Sequence, residues 1–234
     1  GKPVCFKVIS IEPIDDTYRV ILSRKRAQIE CRSFYLSSLR AGDIIPATVT
    51  HLDRFGAFVD VGCGIASLLS IDCISVSRIS HPSDRLFSGQ RLEVIVKSND
   101  TETGRIYVTL KELLGTWEEN ANEFCVGQTV SGIVRSIESY GVFVELAPNL
   151  AGLAELKEEN PLFNSIEVGD AVSVYIKSIL PDRMKIKLIL IDCNTYKAKP
   201  TPLRYYIDAK QTRHLDTWHY SPTQCTKLVE TVFE

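Results

Sequence analysis

The chain has 234 residues, 44% hydrophobic and 24% charged, with a formal net charge of −2, which is ordinary globular material with room for one to three small domains. No apolar run approaches the roughly 18–20 residues of a membrane-spanning helix, and the opening Gly1-Lys2-Pro3-Val4 lacks the apolar core of a signal peptide, so a cytoplasmic location is expected. The charge also excludes a protein that coats duplexes through bulk basicity.

In chain order, Val4–Val8 and Arg19–Ser23 read as two strands. A start without Met that enters a strand-like run at once is expected of an excised fragment. Ala27 to Leu39 is a candidate helix. From Gly42 the pattern becomes strand, strand, strand, crossing segment, strand, strand, ending near Leu110. Its fourth strand alternates cleanly, with Leu92, Val94 and Val96 on one side and Arg91, Glu93 and Lys97 on the other. Pro82 is placed to open a short helix in the crossing segment. Thr116-Trp117-Glu118-Glu119 is a capping-box pattern, with Trp117, Ala121 and Phe124 on one helical face.

The pattern then repeats. Gly42–Val49 and Phe55–Val61 match Gly127–Val134 and Tyr140–Leu146 at a constant offset of 85. Gly89–Lys97 matches Gly169–Lys177, and Arg105–Leu110 aligns with Arg183–Leu188 if the turn between has lost residues. Val4–Val8 and Arg19–Ser23 look like a third copy of the last two strands. Five short strands with a long connection after the third are the arithmetic of an OB barrel. The expected fold is therefore all-β: tandem five-stranded OB-fold barrels joined by short helical linkers. The expected division is the end of a first barrel plus a linker helix (1–40), two complete barrels (41–116 and 117–192), and a C-terminal extension (193–234) in which Leu203–Ile207 and Thr217–Tyr220 form a possible hairpin.

Candidate functional residues follow from alternation. A carboxylate without a partner is costly in a barrel core, so the strand face carrying Asp60 or Glu145 is expected to be wet. That puts Phe58 and Phe143 on a solvated face, with Phe55 and Tyr140 beside them before the turn glycines. Exposed rings on a sheet form a platform for unstacked bases; the alternative is that a ring caps the barrel or packs on a linker. Arg54, Lys97 and Arg105 in the first copy, and Lys177, Arg183, Lys185 and Lys187 in the second, are the cations placed to meet phosphates. Arg78, His81 and Arg85 form a basic stretch in the crossing segment that either extends this surface or caps the loop. The seven cysteines lack zinc-site spacing and are expected to be free thiols. His51, His214 and His219 show no catalytic or metal spacing, and no cofactor is expected.

These residues resemble the S1 RNA-binding domain, the OB-type module repeated in bacterial ribosomal protein S1. The pattern is a Gly-Asp/Gln start, a small-x-Val strand, an aromatic-Gly-x-Phe-Val turn and strand, a Gly-Leu-like third strand and a closing Gly-Arg-Ile-x-x-x-Leu strand. It covers about residues 42–112 and 125–192, with its last third at 4–26. The resemblance implies a binding face at Phe55, Phe58, Asp100 and Arg105 in one unit and at Tyr140, Phe143 and Arg183 in the other. Where the family often has His in the third strand, this chain has Ser70 and Glu155. It implies single-stranded RNA as partner, with mRNA a candidate, and a role in translation or RNA handling. The alternatives are a scaffold whose acidic second complete repeat docks on protein or ribosome, and a fragment of an RNA-processing enzyme. The latter is disfavoured because no unit shows clustered carboxylates or paired histidines; the chain is expected not to be an enzyme.

Overall fold

The computed structural model describes residues 4–155, 165–197 and 202–234. It opens with β1 (Lys7–Ile14) and β2 (Thr17–Ser23), an antiparallel ribbon followed by α1 (Arg24–Ser38). The first strand begins three residues later than expected and runs further, because the turn lies at Asp15-Asp16, where Asp15 takes a left-handed φ of 50°. The helix also starts earlier than the apolar pattern implied, since Ser23 caps it by accepting from the Arg26 N–H.

Two closed barrels follow. β3 (Ile44–Asp53), β4 (Gly56–Asp60), β5 (Ala66–Ser70), β6 (Arg91–Asp100) and β7 (Arg105–Thr109) close in the order β3-β4-β5-β7-β6, with β5 and β7 parallel. After α2 (Trp117–Ala121), β8 (Thr129–Glu138), β9 (Gly141–Ala147), β10 (Leu150–Glu155), β11 (Asp170–Leu180) and β12 (Lys185–Lys197) repeat the same closure. These are the tandem five-stranded OB barrels expected from the repeat. Inward residues of the alternating strands form the two cores: Val49, Val59, Leu69, Val94 and Val108 in one, Val134, Val144, Ala154, Val174 and Ile186 in the other. Most of the second barrel's crossing segment lies outside the described residues.

The connections tie the units into one body. α1 lies along the first barrel, with Cys31, Tyr35 and Leu36 against its core, and Cys31 forms a disulfide with Cys63 in the β4–β5 loop. This corrects the expectation of free thiols; the two cysteines are 32 residues apart in sequence and meet only through the helix packing on the barrel. The capping box at α2 is present in both directions, between Thr116 and Glu119, and buries Trp117 against the second core.

The extension folds differently from expectation. Its hairpin pairs β13 (Thr217–His219) with β14 (Glu230–Val232), not with Leu203–Ile207. The latter segment runs as irregular chain over the first barrel, where Leu203, Tyr205 and Ile207 pack on its core and the Tyr205 hydroxyl accepts from the Glu93 N–H. The extension straddles both barrels: Leu215 and Phe233 pack on the first core, Trp218 and Tyr220 on the second.

The strongest tie is electrostatic. Glu145 on β9, expected on a wet face, is 4% exposed. Its carboxylate accepts from both terminal nitrogens of Arg85, which reaches across from the first barrel's crossing segment, with 2.6 Å to Arg85 Nη2, and from Arg135 Nε on β8, also at 2.6 Å. Asp84 lies 3.6 Å from the Arg135 guanidinium and balances the charge. Beside it, buried Asn149 accepts from the Val76 N–H and donates to the carbonyls of Lys111 and Gly115. A carboxylate on a barrel strand must face water only when it lacks a partner, and two guanidinium groups supply Glu145 with one.

Removing one member of such a buried pair strands the others, at about 3–5 kcal/mol; Glu145→Ala is expected to lower stability by that order in urea titration while Asp60→Ala, at the equivalent position in the first barrel, costs less. A second expectation concerns His214 in the extension, whose Nδ1 bonds Asp43 at 2.7 Å. That hydrogen bond raises its pKa above the ordinary histidine value. Its contribution is therefore fully present below about pH 6.5 and is lost as pH rises through the raised folded value. An NMR titration should find the His214 midpoint above that of a free histidine, and Asp43→Asn should lower it.

Candidate nucleic-acid interface

The ladder registers line up five outward side chains across the first barrel: His51, Phe58, Leu68, Tyr107 and Ser98, one from each strand. Their strand neighbours Ala57, Val59, Leu69 and Val108 point inward and are buried. Phe55, half exposed in the β3–β4 turn, meets Phe58 edge-to-face, with ring centroids 5.9 Å apart and planes at 89°. His51 stacks at 6.3 Å on the other side of Phe58. In the second barrel the equivalent row is Ser136, Phe143, Leu153, Lys187 and Ser178. Tyr140 and Phe143 repeat the edge-to-face arrangement at 6.2 Å and 89°. The two barrels therefore present the same ring pair in the same geometry.

Cations border both rows. Lys97 and Lys177 are each the extra residue of a β-bulge, between Val96 and Ser98 and between Ile176 and Ser178. Lys97 Nζ lies 3.4 Å from Cys73 Sγ, and this sulfur, with Asp72 and Glu112 beyond it, holds the ammonium above the ordinary lysine value. Arg105 is exposed at the start of β7, paired with Asp100 across the ladder, and Arg54 is exposed in the turn beside Phe55. Asp100 accepts from the Glu102 and Thr103 N–H groups and from the Thr103 hydroxyl, which lowers its pKa. Its carboxylate thus builds the β6–β7 turn.

The register moves one equivalence. Leu68 pairs with Tyr107 and Leu153 with Lys187, so Lys185, not Arg183, occupies the position of Arg105. The two turns have equal length. Met184 takes the left-handed φ of 49° where the first barrel has Gly104 at 66°, so the aligned Arg-x-x pattern slid by two residues. Arg183 is exposed in the turn itself and lines a groove of about 380 Å³ with Tyr140, Phe143, Leu153, Lys185 and Lys187. Glu155, also on that groove, engages Lys187 at 3.2 Å. Lys177 and Lys185 are exposed.

The crossing-segment residues separate from this surface. Arg85 is consumed by Glu145 and is 5% exposed, so it is withdrawn as a binding residue. His81 caps the short helix at Pro82–Asp84, its Nδ1 accepting from the Ser83 N–H. Arg78 is exposed on a cavity beside the C-terminal hairpin. Ser70 is half-buried at the end of β5, and its hydroxyl hydrogen-bonds Asp72, lowering that carboxyl's pKa. Tyr107 and His51 were missed. The alternation Arg105-Ile106-Tyr107-Val108 already places Tyr107 outward, and β3 faces β4, so both were readable from pattern.

Among known proteins, the model of the S1 RNA binding domain matches residues 38–111. Small ribosomal subunit protein bS1 of Leuconostoc lactis is 34% identical over 199 residues, 80% of this chain and 46% of that protein. The bS1 homologue of Bacillus cereus is 35% identical over 80% of this chain and 51% of its own length, and bS1 of Staphylococcus aureus 30% identical over 90% and 57%. The chain spans about half the length of the curated relatives it matches. With a family match on the first barrel and similarity to bS1 proteins over most of the chain, residues 38–111 form an S1 RNA binding domain, and the second barrel repeats its strand closure.

Proposed function

We propose that the chain binds single-stranded RNA on the two equivalent barrel faces and acts in translation, as a binding protein rather than an enzyme. The observation that carries this reading is the recurrence of an edge-to-face aromatic pair beside a bulge lysine in both barrels. Bases unstacked from a strand find π-faces at Phe55, Phe58 and Tyr107, or at Tyr140 and Phe143, and stacking of this kind does not demand a particular sequence. Lys97, Arg105 and Arg54, or Lys177, Lys185 and Arg183, then meet phosphates. The names of its relatives, small ribosomal subunit proteins, favour the ribosome as a partner and the cytoplasm as the place, and mRNA is the single strand that such a setting would present.

Of the two faces, the first is the stronger. It carries Tyr107 where the second has Lys187, and Lys187 is partly neutralised by Glu155. Protein docking on the second barrel remains a narrower reading than its acidic composition implied, because Glu145, one of its carboxylates, is buried in the joint.

The division of the chain extends the same reading. The β1–β2 ribbon shifts register between Val8 and Ser10, as β6 does between Val96 and Ser98 and β11 between Ile176 and Ser178. Arg19 then falls where Arg105 and Lys185 fall. This supports residues 1–40 as the closing strands of a further barrel plus its linker helix, 41–116 and 117–192 as complete units, the second prolonged to Lys197 by β12, and the remainder of 193–234 as a clamp across them.

In fluorescence anisotropy with a labelled single-stranded RNA of mixed sequence, Phe58→Ala is expected to weaken binding by about 1–3 kcal/mol, and Phe143→Ala by less. Absence of binding by the native chain at low salt would overturn the reading. Lys97→Ala is expected to flatten the salt dependence, reducing the slope of log K against log salt by about 0.7 if Lys97 contacts one phosphate.

A further inference from the structure

A cavity lies between the first barrel's crossing segment and the C-terminal hairpin. It has a volume of about 440 Å³, in the range of ordinary ligand pockets. Ile71, Val76, Ile79, Val229 and the Trp218 ring supply apolar walls, and Arg78, Lys111 and Asp72 supply polar groups. Trp218 is 6% exposed, and its indole N–H is buried without a hydrogen-bond partner among the described residues. That nitrogen is closed to solvent, so Trp218 meets the cavity with its ring rather than with its N–H. Arg78 is in no ion pair among the described residues and Lys111 is in none either, whereas Glu230 on the cavity wall is engaged by His219 at 3.0 Å.

The cavity adjoins the aromatic face. Ile71 donates its N–H to the carbonyl of Phe55, and Asp72 lies between Ser70 and Lys97, interacting with both. Ile71 and Asp72, which line the cavity, thus join it to the aromatic face.

We propose that this cavity receives one unstacked nucleobase of the same RNA strand, its ring between the apolar walls and against the Trp218 ring, and its phosphate held by Arg78 and Lys111. Apolar walls with a few convergent donors suit a planar heterocycle, and the flanking cations suit the phosphodiester that accompanies it. The extension is then part of the binding surface as well as a clamp. The inference rests on the RNA-binding reading of the aromatic faces.

The test uses the full chain labelled with nitrogen-15. Its two tryptophans give two indole N–H signals, and Trp218→Phe assigns them. On titration with single-stranded RNA of mixed sequence, the Trp218 signal is expected to move while that of Trp117, buried in the second core, stays. Arg78→Ala, at an exposed site outside both cores, and Lys111→Ala are each expected to weaken RNA binding about tenfold, the order of one charge-assisted hydrogen bond. If Phe58→Ala weakens RNA binding but the Trp218 signal and the Arg78→Ala affinity are unchanged, the cavity proposal is overturned and the aromatic-face reading stands. If Trp218 responds and Phe58→Ala has no effect, the cavity binds and the aromatic-face reading falls. No binding at low salt overturns both.

Discussion

The relation between the two barrels depends on one carboxylate. Glu145 is buried where the barrels meet, and it is tolerated there because two guanidinium groups reach it, one from each barrel. An ion pair taken out of water adds little net stability when intact, but it admits very few alternatives, since any displacement leaves a bare charge in a poor solvent. The hydrogen bonds of Asn149 to three different segments tighten the same seam. Two small modules that would otherwise be free to rotate on a short linker are held at one angle, and the extension lays Trp218 and Tyr220 over one and Phe233 over the other.

That seam also explains why the two copies of one module diverged where they did. Asp60 and Glu145 occupy the same position in the repeat. The shorter Asp60 bends back to accept from the Gly62 and Gly64 N–H groups and shapes the local β4–β5 loop. The longer Glu145 reaches outward to a neighbouring unit. One methylene separates a loop brace from a joint.

The barrels, their strand order and the outward rings were legible because period-2 alternation and a fixed repeat offset report directly which side chains face a core. Most of what the sequence withheld was contact between distant segments. The depth of Glu145 needs Arg85, sixty residues away; the Cys31–Cys63 pair needs α1 laid on the first barrel; the hairpin of Trp218 needs a partner strand beyond an irregular stretch with no alternation. The misplacement of Arg183 has a different source. A residue with a side chain, Met184, holds the left-handed turn position that glycine marks in the first copy, so the cue that fixes register was missing. For the site itself, Phe55, Phe58, Tyr140 and Phe143 came from pattern, whereas the removal of Arg85 from the surface and the position of Arg78 on a cavity wall needed the fold.

The bulge at Lys97 is a change of parity. Along β6 the inward residues are even-numbered up to Val96, then the count skips, and Asn99 shares the inward side with Ile106. Lys97 and Ser98 are consequently two outward neighbours in succession, which no regular strand allows. A substitution at Lys97 alters one side chain and leaves this count untouched. Loss of that single residue would remove the bulge and its cation yet leave the remainder of the strand facing as before, whereas straightening the bulge with every residue kept would turn the remainder inside out. The cation is thus carried by a discontinuity of the strand, and the same discontinuity at Lys177 gives the second barrel a cation in the same place.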